Sequence, residues 1–363
     1  MTVAMNGEAA NGQQWGLTFE GVKSVRVSQV PIPTIQEPTD CIVRTSLVGV
    51  CGSDLHAYHG REAGCDHGTV MGHEMVGIVD AVGASITSLK VGDRVMCPFT
   101  TNCGSCFYCK RGLTARCTTG QLFGWKSGGK GLDGGQAQYV RVPLADGTLS
   151  RIPEGVTDEE ALLLGDIFST GFFCADNGGI EADQNQIVAV IGCGPVGLMA
   201  ILGARELGAK RVIAIDMVTD RLDLAKEYGA EPVHLKEQEP LAAVHAATEG
   251  RGADVVLEVV GSESAMTLAY KLLRPGGTLS CVGVHNEDKL AFSPNQAYDK
   301  NITFRIGRCP ARHFMEKLVP VVVSKKYDLT RIITHRMDLK EAVEAYDMFD
   351  RKLDGCIKIV LRT

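Results

Sequence analysis

The sequence has no excess of basic residues: 37 Lys and Arg stand against 43 Asp and Glu, a formal charge of −6 over 363 residues. That excludes the broad cationic face a nucleic-acid partner needs. The first 14 residues hold no lysine or arginine and no apolar segment. They do not read as a secretory leader and are expected to form a frayed arm. A clean membrane span is also missing. Residues 187–204 make an 18-residue apolar stretch only if glycine and proline are counted, and Gly192, Gly194, Pro195 and Gly197 interrupt it. A strand, a tight turn and a helix suit that spacing better than a bilayer does. Repeats, low-complexity tracts and long linkers are likewise absent. What remains is an ordinary folded composition, 45% apolar and 22% charged, long enough for more than one core.

Thirteen cysteines are an odd number for a chain too long to need disulfide staples, and four crowd between Cys103 and Cys117. Clustered cysteines in a reducing compartment point to metal, so a cytoplasmic location is expected.

Two rhythms divide the chain. Residues 42–50, 75–82 and 94–97 are short apolar or alternating runs between Gly and Asp turns, as in a small barrel or bent sheet. From residue 187 strands and helices alternate. Strands are expected at 187–191, 211–216, 231–235, 254–260, 278–284 and 302–306. Helices are expected at 196–207, 221–228, 241–248 and 264–273. Near-continuous apolar strands alternating with helices predict an α/β fold with a doubly wound parallel sheet covered on both faces. Asp338 and Glu341 have capping-box spacing for a helix through Phe349, and a last strand is expected at 356–361.

Gly192, Gly194 and Gly197 form G-x-G-x-x-G between an expected strand and helix, with Pro195 at the helix start. The first glycine permits the turn, the second admits a pyrophosphate, and the third lets helix and strand approach. Asp216 ends the next strand, where a carboxylate binds the adenosine ribose and repels a 2′-phosphate, so NAD is expected over NADP. Arg221 is close enough in sequence to join that site and works against the preference. Cys193, inside the turn, is either a reactive thiol at a helix N-terminus or a small buried filler. Cys103, Cys106, Cys109 and Cys117 are spaced C-x2-C-x2-C-x7-C, as four thiolates on one structural zinc would be. Cys51 in GVCGSDLH and His73 in GHE are suitable ligand types, but two residues alone do not make a site.

These segments, with the VGDRV turn and GCGPVG, resemble the zinc-containing medium-chain alcohol dehydrogenases in their order. The resemblance runs from about Val22 to Leu361. It implies a GroES-like β-rich catalytic domain, residues 1–168 and 303–363, around a Rossmann NAD-binding domain, residues 169–302. It also implies one catalytic and one structural zinc, and a homodimer or homotetramer with no membrane partner. Cys51 and His73 match the first two catalytic ligands. Asp166 stands where many relatives have a second cysteine, as in the glutathione-independent formaldehyde dehydrogenase-like branch. Glu74 and Asp54 resemble carboxylates that lie behind the metal or orient His73, and Glu74 is the alternative third ligand. Ser53 and His56 match a proton relay that leads through the nicotinamide ribose. Thr170 and Val196 match contacts to the nicotinamide, and Phe99 a wall of the substrate pocket. Gly52 replaces a pyrophosphate-binding arginine, which leaves Lys358 as a candidate for that contact. The expected reaction is hydride transfer between an alcohol or aldehyde and NAD. Polyol or amino-alcohol oxidation, aldehyde dismutation with retained NAD, and a non-catalytic NAD-binding scaffold are the alternatives.

Overall fold

The computed structural model describes residues 12–363. Most of the expected N-terminal arm lies outside the described residues, but its last two positions are not frayed. Gln13 and Gln14 open the strand Gln13–Gly21, and the buried Gln14 side chain exchanges hydrogen bonds with the Tyr139 backbone. Two part-buried amide hydrogen bonds across 125 residues help hold this segment, together with its pairing to Ser24–Pro31.

The chain forms two compact units, one ending at Asp166 and resuming over Pro310–Thr363, the other Ile167–Cys309. The second is the α/β unit. Its six-stranded sheet is parallel throughout, in the order Glu231–His234, Arg211–Asp216, Ile187–Ile191, Ala253–Glu258, Leu273–Cys281, Thr303–Ile306. Ile187–Ile191 is buried at every position, as a strand covered on both faces must be. From there the chain winds outward to Glu231–His234, then crosses back to Ala253–Glu258 on the other side. The order therefore reverses beside Ile187–Ile191, which is where such sheets bind ligands at their carboxyl ends. The crossovers are the helices Pro195–Glu206, Thr219–Glu227, Pro240–Ala247, Glu263–Leu272 and Pro294–Lys300.

The first unit is the β-rich one. Its main sheet runs Ile333–Asp338, Lys358–Arg362, Cys41–Val50, Met75–Val82, Arg94–Cys97, Ser150–Arg151, with Tyr139–Val142 also paired to Cys41–Val50. The last strand of the chain thus lies in register against an early one, Val360 opposite Gly49. Leu17, Val43, Met75, Val140 and Tyr346 are among its buried core. The helix Asp158–Gly165 was not foreseen, although Thr157 and Glu160 make a reciprocal capping box at its start. The box at Asp338 and Glu341 is present, but it opens a short 3-10 turn that leads into the helix Ala342–Arg351. Among the described residues no helix is long and apolar enough to cross a membrane.

Candidate metal and dinucleotide sites

Cys41–Val50 and Met75–Val82 are antiparallel, with Val48 opposite Met75. Cys51 leaves the end of one strand and His73–Glu74 precede the start of the other, so local pairing alone brings thiol and imidazole together. Asp166 ends the helix Asp158–Gly165 and completes the group. Cys51 Sγ lies 3.7 Å, and His73 Nε2 3.4 Å, from Asp166 Oδ2. Ligands at ordinary zinc bond lengths around a tetrahedron stand roughly 3.5 Å (S to O) and roughly 3.3 Å (N to O) apart. Both spacings are close to those of ligands on one zinc, and the donor types suit it. Burial, reinforced by the Asp166 and Glu74 carboxylates, pushes the Cys51 thiol up, so a cation is what would hold it as the thiolate.

The surrounding bonds select the ligand atoms. Asp54 Oδ1 is 3.0 Å from His73 Nδ1, which leaves Nε2 for the metal. Asp54 Oδ2 accepts the Cys51 backbone N–H at 3.0 Å and a Gln136 amide N–H at 3.2 Å. Gln136 Oε1 accepts the Tyr346 hydroxyl at 2.9 Å. Ser53 makes no cap bond on the helix Asp54–Tyr58. Its hydroxyl is instead 3.2 Å from Cys51 Sγ and 3.0 Å from His73 Nε2. His56, half-buried on that helix, is held below the ordinary imidazole range by burial.

Glu74 can offer an oxygen to the same group, yet both its oxygens accept from Lys358 Nζ, at 2.6 and 2.5 Å. Lys358 also donates to Val50 O at 2.9 Å and has no exposed side-chain surface. The expectation that Lys358 contacts a pyrophosphate is therefore corrected. Its ammonium is consumed by a buried carboxylate.

Cys103, Cys106, Cys109 and Cys117 can all present sulfur to one ion. Backbone amides already point at these sulfurs, Cys103 N–H toward Cys117 Sγ (3.2 Å) and Cys106 N–H toward Cys103 Sγ (3.4 Å). The amides of Cys109 and Thr118 draw the Cys106 thiol down to about 5, whereas burial pushes Cys109 up to about 12. Four converging sulfurs with no place for water fit a structural zinc. Cys106→Ser should release about one zinc per chain and weaken the lobe, because the ion ties together a loop with little core. Full zinc content and unchanged thermal stability in that variant would refute the assignment.

The glycine turn lies at the carboxyl end of Ile187–Ile191. Gly192 has φ 91°, and a Cβ on Gly197 would overlap Gly192 O, so both positions need glycine. At Gly194 the space is open, with Arg221 Nη1 3.6 Å from where a Cβ would stand. Pro195 begins the helix, whose amides and dipole favour a phosphate. Arg221 Nε is buried without a hydrogen-bond partner, an orphan donor beside an open cradle. Asp216 is buried, accepting Cys193 N–H at 2.6 Å on Oδ2 and the amides of Met217 and Val218 on Oδ1. Cys193 is wholly buried and its thiol is pushed up by that burial. It is the filler of the two readings, not the reactive thiol. Thr170 is half-buried on the helix Ile167–Asn177 and Val196 is half-buried in the turn helix. Phe99 stands edge-on to His73, with ring centroids 6.5 Å apart.

Sequence reasoning missed Gln136, Tyr346 and the Glu74–Lys358 pair. Only the last had a signal: a lysine inside the otherwise apolar run C-I-K-I-V-L.

Comparison with known proteins agrees with this geometry. Residues 37–154 match the alcohol dehydrogenase GroES-like domain, and residues 195–324 the zinc-binding dehydrogenase family. Zinc-type alcohol dehydrogenase B of Aspergillus flavus is 44% identical over 340 residues, covering 92% of this chain and 78% of that protein. An uncharacterized zinc-type alcohol dehydrogenase-like protein of Bacillus subtilis is 37% identical, covering 95% and 99%. Among solved structures, alcohol dehydrogenase TADH from Thermus sp. ATN1 superposes with a TM-score of 0.91 at 38% identity, covering 96% of this chain and 99% of that one.

Proposed function

The chain belongs to the zinc-containing medium-chain dehydrogenases, zinc- and NAD-dependent oxidoreductases of alcohols and aldehydes, and from that premise we propose that Cys51, His73 and Asp166 hold its catalytic ion. The observation that carries the reading is Asp166 Oδ2 beside Cys51 Sγ and His73 Nε2 at ligand spacing. Glu74 serves behind the metal, neutralised by Lys358. Zinc, when bound, supplies Lewis acidity toward a substrate oxygen, and NAD supplies the hydride acceptor. The Ser53 hydroxyl, within 3.2 Å of two ligand atoms, takes the proton of an alcohol entering there. His56 would receive it at the far end of the relay, beyond the nicotinamide ribose that NAD supplies when bound. Burial keeps that imidazole below its ordinary range, so it is neutral and able to accept at pH 7. Phe99 walls the pocket. Thr170 and Val196 face the nicotinamide half of the cofactor.

On the cofactor side, Gly192, Gly194, Pro195 and Gly197 cradle the pyrophosphate, with Arg221 supplying the cation absent at Gly52. Asp216 selects NAD by placing a carboxylate where a 2′-phosphate would lie. The Asp166 ligand further favours the formaldehyde dehydrogenase-like branch, with formaldehyde and short primary alcohols as substrates. The exposed edge Thr303–Ile306 suits pairing with the same edge of a second copy, giving a symmetric dimer.

A panel of formaldehyde, primary alcohols, polyols and amino alcohols, read by NADH absorbance with zinc measured on the same sample, tests this function. Turnover of none of them, despite tight NAD binding, would favour a scaffold. In the same assay NADP should be used far less efficiently than NAD, and Asp216→Gly should narrow the gap. Equal efficiency of the wild type with both cofactors would defeat the role given to Asp216.

A further inference from the structure

Glu258 is the last residue of the central strand Ala253–Glu258 and is fully buried. Its Oε1 accepts the backbone N–H groups of Val260 and Gly261, each at 2.8 Å. Its Oε2 lies 2.9 Å from His285 Nε2, and its carbonyl accepts the Val282 N–H at 3.1 Å. The other imidazole nitrogen, His285 Nδ1, is 3.2 Å from Glu287 Oε2. Glu287 Oε1 in turn accepts the N–H of Glu263, the first residue of the helix Glu263–Leu272. One imidazole between two carboxylates therefore links the loop after Ala253–Glu258, the loop after Leu273–Cys281 and the start of the next helix. Each ring nitrogen thus faces a carboxylate oxygen.

These loops are packed backbone against backbone. A Cβ on Gly283 would overlap the Gly261 amide nitrogen, and one on Gly261 would lie 2.5 Å from Val284 O. They also bear on the glycine turn, since a Cβ at Gly192 would be 2.6 Å from Val260 Cγ2. The two loops are in close backbone contact, and the turn lies against them. They stand at the carboxyl ends of the strands on the Ala253–Glu258 side of the switch point. Asp216 and the adenosine end lie on the opposite side, so a dinucleotide spanning the crevice puts its nicotinamide here.

We propose that Glu258, His285 and Glu287 form a brace that positions the nicotinamide half of the dinucleotide, with His285 as its central positioning residue. This rests on the cofactor reading above. The brace touches no reacting atom. It sets the height of the 259–261 and 282–285 backbone on which the nicotinamide is seated, while the adenosine half depends on Gly192–Gly197 and Asp216.

Binding of NAD and of ADP-ribose, which lacks the nicotinamide, separates the two halves. In the zinc-loaded His285→Ala enzyme the Kd for NAD should rise about tenfold, the scale of one lost charge-assisted hydrogen bond. The Kd for ADP-ribose should stay within about twofold, and kcat should fall at saturating NAD. Glu287→Gln, which keeps the shape of the outer carboxylate and removes its charge, should shift NAD in the same direction by less. Equal weakening of both ligands would show a merely structural role, and no weakening of either would show no role; each overturns the brace alone. Failure of the wild type to bind either ligand would overturn the cofactor reading and the brace with it. Cys281 lies beside Glu258 in the sheet, and these two with His285 are close enough to share an ion. A third zinc per wild-type chain, lost in His285→Ala, would replace the brace with a metal site.

Discussion

Asp166→Asn should leave about one zinc per chain, held by the Cys103–Cys117 loop, where the wild type holds about two. Replacing the carboxylate removes a charge and a good ligand atom from a set in which one thiolate and one carboxylate neutralise the ion. Turnover should fall by on the order of 10²-fold or more, because Lewis acidity worth several kcal/mol is lost with the metal. NAD should still bind, since the glycine turn and Asp216 lie elsewhere. Glu74→Gln is the control. If Glu74 were the third ligand, Glu74→Gln would lose the ion while Asp166→Asn kept both zincs and most activity. Metal analysis of the two variants side by side decides it. With both Glu74 oxygens on Lys358, Asp166→Asn is expected to be the zinc-deficient one.

Lys358→Met should destabilise the β-rich unit by about 3–5 kcal/mol, the cost of stranding one member of a buried ion pair. Neither side chain has any exposed surface, so water cannot replace the lost ammonium. Burial already works to raise the Glu74 carboxyl, with Lys358 opposing it. Changing both residues, as Lys358→Met with Glu74→Met, should recover most of the loss, because the pair's own desolvation cost disappears with it. Chemical denaturation at fixed zinc content measures both. A deficit under about 1 kcal/mol for the single variant, or no recovery in the double, would mean the pair is not the buried charge couple described.

The contrast between these two residues shows what the sequence made legible. Strands with continuous apolar character and clear turn punctuation were readable to the residue: Met75–Val82, Arg94–Cys97, Ile187–Ile191 and Arg211–Asp216 lie where the pattern put them. The glycine turn and the four-cysteine loop were equally clear, because each works through residues close together in the chain. Cys51 and His73 were suitable types without a third partner. Asp166 came only through resemblance, since no spacing rule reaches across 115 residues. Lys358 was misread for the same reason. Nothing local says that its ammonium meets a carboxylate 284 positions away. The hairpin of Gln13–Gly21 with Ser24–Pro31 was also missed, although none of its first strand is exposed and Val25 and Val27 alternate with polar residues in its second.

The strand Lys358–Arg362 sits between Ile333–Asp338 and Cys41–Val50 in the main sheet of the β-rich unit, and this dictates an order of assembly. As the chain leaves the ribosome, residues 167–309 emerge whole and can close their parallel sheet without anything that follows. The unit begun first must wait. Until residues 358–362 have emerged, Cys41–Val50 lacks one neighbour and Glu74 lacks its counter-charge. The metal-ligating cysteine and histidine are therefore made early, but the framework behind them is finished by a strand that lies far later in the chain.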